Sequence, residues 1–171
     1  VYKTIADEIL PELRRSRLIL TTDLIGKSDE EIAALAKNNP AELSVEELLY
    51  AATLTNDANE KMAIYKKVAE LFPNEYRAYN NMGMLYFAEG NVAEARRSYA
   101  KALQIEPNNA DVNYNAGIAA LAENDLKQAE QYLGKAAGTE GDLNAAMGTL
   151  YTMKGDYAAA KNAYGNKASN N

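Results

Sequence analysis

The stretch "RAYNNMGMLYFAEGNVAEARRSYAKALQIEPNN", residues 77–109, decides the fold of this chain. Small, aromatic and apolar residues recur in its first half at the spacing of one amphipathic helix: Tyr79, Met82, Gly83 and Tyr86. Gly90-Asn91 interrupts this pattern, and a second helical stripe contains Ala95, Tyr99, Ala102 and Leu103. Pro107 ends the second helix because proline cannot continue one. The stretch therefore predicts a helix–turn–helix unit.

The same unit recurs along the chain. An interval of 34 residues carries Gly83 to Gly117 and Ala95 to Ala129. A third copy repeats the spacing after the loss of three residues in the turn 137–142, and its markers are Gly148, Tyr151, Gly155, Ala160 and Tyr164. A weaker copy precedes the quoted stretch and opens with the capping-box pattern Ser44-x-x-Glu47. A single hairpin would leave its apolar face open, so we expect stacked copies that share a continuous core.

Small residues are expected where paired helices approach most closely. Gly83 and Ala95 would allow the approach within one hairpin, while Tyr86 and Tyr99 fill the space beside them. The spacing and these residues resemble the tetratricopeptide repeat (TPR), and the resemblance covers about residues 42–171. It implies an all-α solenoid of three to four helical hairpins, with units at about 42–75, 76–109, 110–140 and 141–171. The last unit is expected to be uncapped, and the chain to be a piece of a longer protein.

The first 41 residues follow a different pattern and predict a helix–strand–helix segment. The stretch "TIADEIL" predicts a short helix, and the β-branched run 17–25 predicts a strand. Ser28-x-x-Glu31 is a capping box for a further helix that Pro40 ends. Because one strand needs partners in a sheet, we expect this segment to be the tail of an upstream domain.

The N-terminal segment also resembles the junction between an OmpA-like domain and TPRs in cell-envelope proteins of Bacteroidetes. The resemblance covers about residues 8–54 and is carried by "LRRSRLIL" and "SDEEIAALAKNNPAELSVEELLYAA". It implies a location in the periplasm or at the outer membrane. No peptidoglycan-binding residue is carried over, because those residues belong to the OmpA-like domain itself.

Composition excludes several kinds of chemistry. The 171 residues include no His and no Cys, which excludes His-based catalysis, thiol catalysis and metal sites made of these ligands. A net charge of −6 argues against nucleic acid, and no apolar stretch approaches the roughly 20 residues of a membrane span. The paired carboxylates at residues 29–31 and 46–47 are expected in first turns of helices, where the dipole favours negative charge. We therefore expect no enzyme and no cofactor.

TPR proteins mostly bind peptides along the concave surface that is formed by the first helices. Helical positions beside the core residues Met82 and Gly83 predict the groove residues Arg77, Asn80, Asn81, Met84, Phe87, Asp111, Tyr114, Asn115, Ile118 and Leu121. The third unit would add Asp142, Ala145, Ala146, Thr149 and Thr152. Tyr114, like Tyr50, lies outside the core positions of the repeat, so for both residues packing and a place in the groove stay open.

Asn81 and Asn115 occupy the same position in adjacent units and resemble the asparagine ladder of some peptide-binding TPRs. An amide can pair with the N–H and the C=O of a peptide bond together. Arg77 is the one cation of the predicted groove and faces acidic neighbours, so the sequence favours a neutral or basic extended ligand over a carboxylate-terminated one. The alternative is a structural spacer that packs against its own upstream domain or self-associates through the last repeat.

Overall fold

A computed structural model describes residues 26–168, with side chains described to residue 165. This part of the chain forms nine α-helices and a 3-10 turn at Pro40–Glu42. The helices are α1 Asp29–Asn38, α2 Val45–Ala51, α3 Ala58–Leu71, α4 Tyr76–Ala88, α5 Val92–Ile105, α6 Ala110–Ala122, α7 Leu126–Leu133, α8 Leu143–Lys154 and α9 Tyr157–Ala168. No strand occurs between residues 26 and 168. The predicted first helix and the predicted strand at 17–25 lie outside the described residues.

Consecutive helices pair as hairpins: α2 with α3, α4 with α5, α6 with α7, and α8 with α9. The second helix of each hairpin also packs on the first helix of the next, so the hairpins stack into a solenoid. The first helices α4, α6 and α8 contact one another in order. This arrangement confirms the all-helical solenoid that the 34-residue spacing predicts.

Polar side chains set where the helices begin. Ser28 and Ser44 form complete capping boxes with Glu31 and Glu47, as their spacing predicts. Asp57 and the other N-cap residues of the later helices accept hydrogen bonds from the first-turn backbone, and these residues are Glu75, Asn91, Asn109, Asp125 and Asp142. The carboxylates at these helix starts therefore have a structural role.

The turn inside each of the last three hairpins uses one left-handed residue at the same repeat position. Gly90 and Gly155 have φ values of 80° and 78°, and Asn124 has φ 59° at the position between them. Glycine tolerates this backbone at no steric cost, and asparagine is among the side chains that adopt it most readily. The turn geometry is thus conserved within the chain although the residue changes.

Close helix approach occurs at the glycines, as the sequence predicts. A Cβ atom added to Gly83 would lie 2.5 Å from Cε1 of Tyr99. Gly117 faces Leu133 in the same way, and Gly148 faces Tyr164. Each of the three hairpins therefore pairs one glycine with one large side chain that covers it.

Helix α1 belongs to the core of the first hairpin. Its buried residues Ile32 and Ala36 share one apolar cluster with Leu43, Leu48 and Val68. The helix at "EEIAALAKN" is confirmed, and its packing continues across residue 41. The division of the chain at that residue stays a prediction, because the remainder of the N-terminal segment lies outside the described residues.

Candidate protein-interaction face

The predicted groove residues of α4 recur every three or four positions and so share one side of that helix. Met84 is 49% exposed there, whereas Met82 and Gly83 on the opposite side are buried in the core. Phe87 is half-buried and packs against the core between α5 and α6. This side of α4 is therefore a mixed strip with polar amides and one open thioether.

An amide chain links α4 to α6. The Nδ2 of Asn115 donates to Oδ1 of Asn80 at 3.0 Å, and the Nδ2 of Asn80 donates to Oδ1 of Asn81 at 3.4 Å. The predicted pair Asn81 and Asn115 is thus connected through Asn80 rather than directly. All three side chains are half-buried and span two neighbouring first helices. Because each amide has more donor and acceptor capacity than this chain uses, hydrogen-bonding groups remain for a ligand.

Tyr65 supports the amide chain from the preceding hairpin. Its phenol forms a hydrogen bond with Asn81, while burial raises the pKa of Tyr65. The ring belongs to the core of the first hairpin, so it holds the asparagine from the protein interior. The amide chain consequently has an anchor that does not depend on a ligand.

Arg77 is fully engaged within the protein. Its Nε lies 2.7 Å from Oε1 of Glu75, and its Nη1 and Nη2 lie 3.0 and 2.7 Å from the two oxygens of Glu46 on α2. The pKa of Arg77 is raised by these hydrogen bonds, and the pKa values of Glu75 and Glu46 are lowered by the same guanidinium. Arg77 therefore links α2 to α4 and is not a free cation for a carboxylate ligand.

The α6 residues at the other end of the predicted groove have structural contacts. Asp111 accepts hydrogen bonds from the Thr139 hydroxyl at 2.6 Å and from the Glu140 backbone at 2.9 Å. The ring of Tyr114 lies where a Cβ on Gly141 would be, so packing accounts for its position. Both residues hold the loop between α7 and α8 against α6.

The remaining candidates divide between core and surface. Leu121 and Ala146 are buried, and Ile118 packs against the same cluster. Thr149 and Thr152 donate to the backbone carbonyls of Ala145 and Gly148 one turn earlier. The open part of the predicted groove is therefore concentrated on α4 and on Asn115 of α6.

Two kinds of site are absent from the part of the chain that the structure describes. No group of three or more His, Cys, Asp or Glu residues between positions 26 and 168 could hold a metal ion. None of the helices in that range is long and apolar enough to cross a membrane.

Solved structures with the same architecture come from several bacteria. A MamA fragment from Desulfovibrio magneticus RS-1 is 19% identical, with 90% of this chain and 91% of that chain covered and a TM-score of 0.66. A tetratricopeptide repeat protein from Parabacteroides merdae is 18% identical, with 92% and 64% covered and a TM-score of 0.70. PilF of Pseudomonas aeruginosa is 16% identical, with 90% and 84% covered and a TM-score of 0.64. At these identities the likeness shows the fold.

Family models confirm the repeat. One model described as tetratricopeptide repeat matches residues 64–97, and a second with the same description matches residues 86–153. No curated protein matches the sequence. Tetratricopeptide repeats, a fold that generally serves protein–protein interaction, therefore build this chain from residue 64 to residue 153.

Proposed function

We propose that the repeats form a non-catalytic module that binds an extended peptide segment of a partner protein across α4 and α6. The observation that carries the proposal is the amide chain of Asn115, Asn80 and Asn81. It places half-buried donors and acceptors on two neighbouring first helices, which is the pattern needed to bind peptide bonds along an extended chain. Met84 adds an exposed apolar contact beside the amides.

Helix spacing sets the length of peptide that the amides would hold. Neighbouring helices lie about 8–10 Å apart, and an extended chain rises about 3.3 Å per residue. Asn81 and Asn115 would therefore contact peptide bonds about three residues apart. Because amides pair with the backbone, this part of the face would accept many sequences.

The charges of the face favour a neutral or basic ligand. Arg77 is surrounded by Glu46 and Glu75, and Asp111 lies farther along on α6, so three carboxylates accompany one cation and the sum is −2. An acidic peptide would meet repulsion and would have to displace an existing ion pair. A basic peptide would be attracted without that cost.

We further propose that the module acts in the bacterial cell envelope, next to an OmpA-like domain. The support is the N-terminal sequence resemblance over residues 8–54. Isolation of the partner by cross-linking in an envelope fraction, compared with a cytoplasmic fraction, would test this location. Capture restricted to the cytoplasmic fraction would contradict it.

A selection from a random library of 12-residue peptides tests peptide binding. The baits are the parent protein and an Asn81→Ala/Asn115→Ala variant, with Gln104→Ala/Gln131→Ala on the exposed sides of α5 and α7 as the matched amide control. We expect the parent and the control to enrich the same peptides and the asparagine variant to lose them. Equal enrichment by all three baits would reject the amide face, provided that their thermal unfolding is alike.

The alternative function, self-association or spacing, has its own observation. At one repeat position Tyr99 and Leu133 are buried, whereas Tyr164 in the last hairpin is 44% exposed and Tyr157 nearby is 73% exposed. Sedimentation of the parent and of a Tyr157→Ser variant separates the two functions. A dimer that the substitution dissociates would favour self-association, and a monomer in both cases would favour peptide binding.

A further inference from the structure

A second concave feature lies beside the amide face, between the start of α1 and helix α2. This cleft has a volume of about 340 Å³, and its lining is mainly apolar. Ile32 is buried there, and the ring of Tyr50 is 45% exposed. The other lining residues are Gly26, Lys27, Asp29, Glu46 and Glu47. The cleft thus combines an apolar and aromatic wall with a charged rim.

The ion pairs of the rim leave one carboxylate without a cation. Lys27 lies 2.9 Å from Glu47, and Glu46 binds Arg77 through both oxygens. Asp29 accepts one hydrogen bond through Oδ1, from the Tyr50 hydroxyl at 3.0 Å. Among the described residues, therefore, Asp29 has no cationic partner and its second oxygen remains open to one. It stands next to an exposed aromatic face, which itself attracts cations.

The cleft is continuous with the amide face through Glu46. This residue lines the cleft and also binds Arg77, which belongs to the same side of α4 as Asn80 and Asn81. Helices α2 and α4 are the first helices of adjacent hairpins, so about 10 Å separates the two features. That distance corresponds to about three residues of extended peptide.

We propose that the α1/α2 cleft binds a lysine or arginine side chain of the peptide that lies on the amide face. The aliphatic stem would lie along Ile32, the cationic end group would face Tyr50 and pair with Asp29, and the basic residue would stand about three positions from the segment held on α4. Charge complementarity identifies the occupant, since an acidic side chain would meet Asp29 unpaired and a purely apolar one would bury that carboxylate without a partner. This inference rests on the proposed function and specifies its ligand.

The selected 12-residue peptides provide the test, because the probe can be changed without changing the protein. In each peptide, citrulline replaces arginine or acetyl-lysine replaces lysine, which removes the charge and keeps most of the shape. We expect replacement at one position to weaken binding about tenfold, measured by fluorescence anisotropy at 0.1 M salt. The same replacement at other positions should change affinity less than twofold.

Protein variants assign the effect to the cleft. Asp29→Asn keeps an acceptor for Tyr50 and removes the charge, and Glu30→Gln removes a neighbouring first-turn charge outside the cleft. We expect Asp29→Asn to weaken binding about tenfold and to make the citrulline replacement nearly neutral, whereas Glu30→Gln retains parental affinity.

Three outcomes are distinguishable. Coupling between Asp29 and one basic position of the peptide supports the inference. Peptides that bind the amide face without a basic residue, or whose charge effect is unchanged by Asp29→Asn, overturn it while the proposed function stands. A library from which the parent protein enriches no peptide contradicts the proposed function and the inference together.

Discussion

The ring of Tyr99 occupies the space that a side chain on Gly83 would need. A Cβ on Gly83 would lie 2.5 Å from Cε1 and 2.7 Å from Cδ1 of that ring, and Tyr99 is itself buried. Ring and glycine are on the two helices of one hairpin, so neither helix can accommodate the extra carbon without moving.

Gly83→Ala should therefore destabilise the protein although alanine is the better helix former. We expect a loss of about 1–3 kcal/mol in the free energy of unfolding, measured in urea, because overpacking outweighs the gain in helix propensity. Gly165→Ala is the matched control, since that helical glycine has no atom within 4 Å of its added Cβ. The control should be neutral or slightly stabilising, and a stabilising Gly83→Ala would show that the hairpin can widen freely.

Two residues at one repeat position bind the same carbonyl by different chemistry. The hydroxyl of Tyr79 donates to the carbonyl of Pro73, and 34 residues later the amide of Asn113 donates to the carbonyl of Pro107 at 3.1 Å. Asn113 is only 1% exposed and also donates to the carbonyl of Asn109. The asparagine thus replaces the aromatic residue of the repeat pattern while the capping bond is kept.

Asn113→Ala should cost about 1–3 kcal/mol of unfolding free energy, because a buried carbonyl loses its donor. Tyr79→Phe removes the equivalent bond at an exposed site, where water replaces it, and should cost about 0.5–1 kcal/mol. Urea unfolding of the two variants measures the difference. Equal losses would mean that the buried amide is no more important than the exposed hydroxyl.

The helical hairpins could be predicted from sequence because they depend on spacing and on short-range chemistry. The glycine-to-aromatic pairing and the caps at Ser28, Ser44 and Asp57 follow from positions three to sixteen residues apart. The α1 helix could also be predicted, but its share in the first core could not, because apolar residues at helical spacing do not specify their packing partner.

The polar partners of the candidate face were not accessible from periodicity. Arg77 binds Glu46, and Asn115 binds Asn80 at a separation of 35 residues rather than the 34 of the repeat. The repeat interval identifies which side chains share a face. The choice of partner among neighbouring long side chains depends on rotamers and on the offset between adjacent helices, and neither is encoded in the spacing.

The interface between the middle hairpins contains an ion-pair network whose removal should be measurable. Arg96 on α5 binds Glu123 and also Asp125, the N-cap residue of α7, through two different nitrogens. Arg96→Ala should lower the unfolding free energy by about 1 kcal/mol, because one guanidinium joins two hairpins. Arg97→Ala removes a neighbouring exposed arginine that pairs within its own helix, and we expect less than about 0.5 kcal/mol. A larger effect for Arg97 than for Arg96 in urea unfolding would contradict this assignment.

Burial of Tyr99 should produce a stability change at alkaline pH. Burial raises the pKa of this phenol from 10 to about 12, so the folded state keeps its proton where the unfolded state loses it. The contribution is fully present below pH 10 and is lost as pH rises through about 12. Tyr99→Phe should match the parent at pH 8 and lose about 2–3 kcal/mol less unfolding free energy between pH 9 and pH 12. Parallel pH profiles for the two proteins would show that the phenol is not the cause.

Arg77 offers a final distinction between a cation that binds ligand and a cation that neutralises the face. Because its guanidinium already binds Glu46 and Glu75, Arg77→Gln should leave those carboxylates unpaired beside the groove. We expect basic 12-residue peptides to bind this variant about two- to fivefold more tightly at 0.05 M salt, and the gain to disappear at 0.5 M salt through screening. Fluorescence anisotropy measures the affinities, and the unfolding free energy should fall by about 1 kcal/mol. Loss of binding in the variant would instead make Arg77 a ligand contact and would favour an acidic partner.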